Sequence, residues 1–142
     1  MGNDDLIEKE LCGEVIGAFY EVYNEMGFGF TEYLHTQGMQ VELLMRGLNL
    51  MREFKVPVRM KGCVIGEQRL DMVVEDKLIV EIKSTEVLPK TARRQLYNYL
   101  RCTDFEIGLL LHFGPKPWFQ KQVLSNKNKR LRRHTDQPNE AD

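Results

Sequence analysis

A glutamate and a lysine interrupt the otherwise apolar run Leu78-Ile79-Val80-Glu81-Ile82-Lys83. A short aliphatic run of this kind reads as a buried strand, where a carboxylate is costly unless something compensates it. The period of two sends Leu78, Val80 and Ile82 to one face and Ile79, Glu81 and Lys83 to the other, so Glu81 and Lys83 project together. A second β-rich run, Arg69 to Val74, carries a further carboxylate, Asp71, and lies just across Glu75-Asp76-Lys77, which suggests a hairpin. The turn decides whether the two carboxylates meet. A two-residue turn at Asp76-Lys77 opposes Asp71 to Ile82 and sends its side chain to the wrong face, whereas a three-residue loop opposes it to Glu81. The three-residue loop is expected, with Lys77 in the left-handed position that such loops favour.

Around this hairpin the chain divides by periodicity. From Asp4 to Met26, Leu11, Val15, Ala18, Phe19, Val22 and Met26 recur at helical steps, with Gly27 as a stop. Thr31 is placed to N-cap a second helix to about Arg46, followed by Gly47. Phe54, Val56 and Val58 then alternate with Lys55, Pro57 and Arg59 as a half-buried strand, and Pro57 puts it at an edge. A short Cys63-Val64-Ile65 run follows, giving an antiparallel meander with the hairpin. Lys90 to Cys102 reads as a third helix after Pro89, and Ile107 to Leu111 as a strand buried on both faces and parallel to Leu78–Lys83. Trp118 to Leu124 is an edge strand or turn. The expected organisation is one domain over residues 1–125 and a basic, then polar, disordered tail over 126–142.

The chain of 142 residues is 42% hydrophobic, enough for one core but not two. No apolar run is long enough to span a membrane, and Met1 to Glu10 is acidic where a secretory signal would be basic, so a soluble cytoplasmic protein is expected. Three cysteines, Cys12, Cys63 and Cys102, form no CxxC pair, which argues against a disulfide framework or zinc knuckle. The net charge of −1 gives no global signal for a polyanion. Basic residues nevertheless gather at Lys90, Arg93, Arg94 and Arg101, and again from Lys127 to Arg133.

Two adjacent carboxylates with a backbone carbonyl form a hard-oxygen site suited to Mg²⁺ or Mn²⁺, which keep waters and accept a phosphate oxygen. Lys83, on the same face, is placed to orient the attacking water and stabilise charge on the phosphate. That is the chemistry of phosphodiester hydrolysis. Glu-x-Lys alone is a weak signal, since the two alternate on many solvated strands; Asp71, the basic helix and the buried strand after it strengthen it.

The ordered motifs Arg69-Leu70-Asp71, Ile79-Val80-Glu81-Ile82-Lys83, Gln95-Leu96-Tyr97-Asn98-Tyr99-Leu100 and Gly108-Leu109-Leu110-Leu111 resemble the PD-(D/E)XK nuclease superfamily, and within it the small GxxExxY proteins. The similarity runs from about Ile7 to Leu124. The naming motif falls on Gly29 to His35, with His35 at the Tyr position. The resemblance implies an α/β restriction-endonuclease-like core, a mixed central sheet flanked by helices, with two helices before the first strand. It implies that Asp71 and Glu81 bind metal with the Ile82 carbonyl, that Lys83 is the catalytic lysine, and that Glu32 approaches the metal. Gln95 and Tyr99 match the Q-xxx-Y motif of RecB-like nucleases, and a four-residue step puts both on one helical face. Arg93 and Arg94, just before Gln95, are the expected phosphate contacts.

The function expected is a metal-dependent nuclease acting on nucleic acid, DNA in the first instance, with water as nucleophile. Two rivals stand beside it: a non-catalytic nucleic-acid-binding or protein-interaction module on the same fold, and a nuclease active only with an activating protein partner. Cutting both strands would favour a homodimer. No motif predicts base readout.

Overall fold

The computed structural model describes residues 6–129. Helix α1, Lys9–Met26, ends at Gly27, whose N–H donates to the Tyr23 carbonyl and whose φ of 71° is open to a residue without a Cβ. Helix α2, Glu32–Met45, begins at Thr31, whose hydroxyl accepts the Leu34 N–H at 3.3 Å. Then come β1 (Leu50–Met60), β2 (Cys63–Val74), β3 (Leu78–Lys83), α3 (Ala92–Arg101), β4 (Ile107–Phe113) and β5 (Pro117–Val123).

The five strands form one sheet in the order β1-β2-β3-β4-β5, antiparallel except where β3 lies parallel to β4. The chain must cross over between those two strands, and α3 makes the crossing. Pro57 lies on β1, an edge strand, as its missing N–H requires. Two departures from the sequence reading concern β1 and β2. The first starts at Leu50 rather than Phe54. The second runs unbroken from Cys63 through the stretch read as a gap, because β1 pairs with it along nearly its whole length. At the other end, Asn126–Asn128 form a 3₁₀ turn where disorder was expected, and the buried Lys129 ammonium donates to the Thr103 carbonyl at 2.9 Å. The rest of the expected tail, and the start of α1 at Asp4 and Asp5, lie outside the described residues.

Strand alternation splits the core in two. Leu78, Val80 and Ile82 face α1 and α2, packing with Phe19, Met39 and Leu43, and Phe19 meets Phe113 edge-on at 4.9 Å. Ile79 faces the other way, with Val73 and Leu110, toward Leu96, Tyr99 and Leu100 of α3. Each fully buried aliphatic or aromatic side chain contributes about 1.5–3 kcal/mol, so both layers fix the ends of β3 firmly. No described helix is long and apolar enough to cross a membrane.

The contact between α3 and the sheet is tightest at Gly108, where an added Cβ would lie 2.7 Å from Leu96 Cδ1. Gly108→Ala is therefore expected to cost about 1–3 kcal/mol in urea unfolding. Gly13→Ala, on open α1 surface with no atom within 4 Å of the new Cβ, should stabilise by up to about 1 kcal/mol.

Candidate metal centre

Val74 pairs with Leu78, Val73 with Ile79 and Met72 with Val80, so the loop has the three residues Glu75, Asp76 and Lys77 and the expected register. Its strain falls elsewhere than expected: Glu75 (φ 54°) and Asp76 (φ 58°) are left-handed, and Lys77 is not. The Glu75 N–H donates to the Asn49 carbonyl at 2.9 Å, and the Glu75 carboxylate accepts the Asn49 N–H at 2.7 Å. The entry to β1 thus holds Glu75 in a conformation that local preference would not choose.

Beyond Met72 and Val80 the ladder changes partners. The Asp71 N–H donates to Glu81 Oε2 at 3.0 Å and the Ile82 N–H donates to Asp71 Oδ2 at 2.9 Å. Two carboxylates thus take the place of backbone carbonyls where the strands part. Glu81 is only 3% exposed, and burial, then the Asp71 charge, push its pKa well above the ordinary carboxylate range. Asp71 is raised by burial too, against the opposing pull of the Ile82 N–H and Lys83. Without a cation, such a pair is expected to hold a proton between them.

Other elements converge here. Lys83 Nζ donates to Gln95 Oε1 at 3.0 Å, and Gln95 also lies beside the Tyr99 hydroxyl, so one α3 amide stands between the lysine and the tyrosine. Tyr99 is held protonated by burial and by the charges of Glu81, Asp71 and Glu32. Glu32, in the first turn of α2, is raised by burial and by Asp71 and lowered by Lys83, which places it in the same field. Asp71, Glu81, Lys83, Glu32, Gln95 and Tyr99 are therefore neighbours.

Arg93 and Arg94 are not among them. Their guanidinium groups lie over Trp118 at 5.0 Å and Tyr97 at 5.3 Å, and they line a groove of about 570 Å³ between α3 and β5. On a helix, two residues apart means about 200° apart, so Arg93 must point away from Gln95.

His35 is wholly buried and belongs to the framework. Its Nε2 donates to the Gly27 carbonyl at 2.9 Å, which leaves Nδ1 to accept the Ser84 hydroxyl at 2.6 Å, and its ring stacks on Phe113 at 4.0 Å. Burial lowers its basicity. His112, opposite Lys83 on β4, donates from Nε2 to the Thr85 carbonyl at 2.8 Å. Two histidines thus hold the two residues that follow Lys83. Sequence reasoning missed this clamp, and also Arg52, whose Nη1 is bound by Gln37 and Gln40 of α2 and whose charge reaches Asp71.

The donors suit a hard divalent cation: two oxygens are fixed by backbone N–H groups, a third carboxyl is near, and burial raises the pKa of all three carboxyl groups, with the Asp71 charge adding to the rise at Glu81 and Glu32. Among the described residues no three His, Cys, Asp or Glu side chains stand close enough to close a complete ligand set by themselves. The remaining ligands would be backbone carbonyl and water, as is usual for Mg²⁺.

The raised pKa values fix the sign of a pH effect. A carboxyl that keeps its proton in the fold stabilises below its unfolded value, 4.5 for Glu81, and loses that contribution as pH rises through the folded value. In EDTA, urea unfolding should show stability falling as pH rises from about 4 toward neutrality. Glu81→Gln should flatten that fall; an unchanged slope would contradict the assignment.

No curated protein matches the chain. A solved structure described as "Crystal structure of SSO0001" superposes with a TM-score of 0.54 at 18% identity over 94% of this chain, a likeness of fold. This chain spans 65% of that one. The family model for the PD-(D/E)XK nuclease superfamily matches residues 9–123, and the chain belongs to that superfamily.

Proposed function

We propose that this protein is a metal-dependent nuclease of the GxxExxY type that hydrolyses phosphodiester bonds of DNA with an activated water. The observation that carries the reading is the exchange of hydrogen bonds between the Asp71 and Glu81 carboxylates and the facing backbone, beside a lysine fixed by Gln95. Asp71, Glu81 and the Ile82 carbonyl would hold Mg²⁺ or Mn²⁺, with the Glu32 carboxyl in the same field. When bound, the ion supplies Lewis acidity at the phosphate and lowers the pKa of water.

The protein's own groups do the rest. Lys83 carries positive charge to the phosphate oxygens, and Gln95, by accepting one ammonium hydrogen, fixes its direction. Tyr99, protonated, is a hydrogen-bond donor beside the carboxylates and not a base. The His35–Ser84 and His112–Thr85 hydrogen bonds hold the chain just after Lys83, so the lysine approaches from a fixed strand end. Arg93 and Arg94 contact phosphates away from the point of cleavage.

Cleavage of end-labelled single- and double-stranded DNA with Mg²⁺ or Mn²⁺ tests this directly. Lys83→Ala should lower the rate by about 10²–10³-fold while retaining Mn²⁺ binding, and Asp71→Ala should lose both. Undiminished cleavage by Lys83→Ala, or Mn²⁺ bound equally by Asp71→Ala, would refute the assignment.

A further inference from the structure

Helix α3 has two polar sides. Gln95 and Tyr99 turn to the carboxylates, whereas Lys90, just ahead of the helix, Arg93, Arg94 and Tyr97 line the groove against Gln120 and Gln122 of β5. No carboxylate lines this groove, and Lys90, Arg93 and Arg94 make no ion pair with any described residue. Three uncompensated cations at the start of a helix also oppose its dipole, so helix stability does not account for them. Two are instead held by aromatic rings: Arg93 over Trp118, and Arg94 over Tyr97, which Arg101 also approaches at 6.0 Å. The groove wall is braced as well, because Gln122 Nε2 donates to the Arg93 carbonyl at 3.1 Å and to Gln120 Oε1 at 3.4 Å.

We propose that the groove between α3 and β5 is a second binding surface that grips a single-stranded polynucleotide by its phosphates, on the side of α3 away from the carboxylates. An open cationic groove with the Tyr97 ring in its wall is a composition that takes a strand by its phosphates without reading its sequence. Its three unpaired cations come from residues 90–94 alone, a small footprint that suits a strand better than a duplex, which needs a broad basic face. A strand cut at Asp71 and Glu81 is thus held across α3, and the groove supplies affinity that so small a domain otherwise lacks. The nature of the ligand rests on the nuclease reading; the grip does not depend on turnover.

The test is binding of a fluorescein-labelled single-stranded 20-mer in EDTA, followed by anisotropy from 50 to 300 mM salt. The triple variant Lys90→Ala, Arg93→Ala, Arg94→Ala should bind at least tenfold more weakly at 100 mM salt. Its log–log salt slope should fall by about 2, at about 0.7 for each phosphate no longer neutralised. Gln122→Glu, a single change that puts a carboxylate in the groove, should weaken binding several-fold and serves if the triple variant does not fold. Wild-type affinity in whichever variant folds overturns the proposal, as does tighter binding of a duplex of equal length or equal competition by polyglutamate. A wild type that binds the 20-mer but never cleaves leaves the groove standing and removes the nuclease reading. One that cleaves with affinity indifferent to these substitutions does the reverse.

Discussion

Where β2 and β3 part, the hydrogen bonds of the sheet pass from backbone carbonyls to the carboxylates of Asp71 and Glu81. The rest of the structure is arranged around that substitution. A carboxylate accepting a backbone N–H keeps a second oxygen for something else, and two such groups in an apolar layer cannot both stay charged without a counter-ion. Lys83 supplies one positive charge, and Arg52 reaches Asp71 from β1. Glu32 adds a negative one. The balance still favours a proton or a cation between the acids, and the proposed metal dependence rests on that balance.

The packing layers serve the same point. Leu78, Val80 and Ile82 are locked against α1 and α2, and Ile79 against α3, so the backbone that carries Glu81 and Lys83 is held from both faces. His35 and His112 extend that hold to Ser84 and Thr85. Glu81 and Lys83 thus sit on an element with little freedom to move, as the proposed chemistry at a phosphate requires.

Much of this was legible in the sequence, for reasons that differ by element. The alternation in Leu78–Lys83 allowed one assignment of faces, and only the three-residue loop let Asp71 reach Glu81. Gln95 and Tyr99, four residues apart, share a helical side by geometry alone. The misjudgements came from contacts distant in the chain. Glu75, not Lys77, takes a left-handed conformation because Asn49 binds it at two points. Residues 63–74 form one strand because β1 pairs along them. Arg93 and Arg94 were grouped with Gln95 because they adjoin it in sequence, although the helical step already turns Arg93 to the opposite side.

On the nuclease reading proposed here, the carboxylate pair shares a proton that a divalent ion displaces. Calorimetric titration of the protein with Mn²⁺ near pH 6, in two buffers of different ionisation enthalpy, measures this directly. The predicted result is a buffer-dependent heat that reports proton release, lost in Glu81→Gln. Mn²⁺ binding with the same heat in both buffers, or no binding at millimolar ion, would contradict the account.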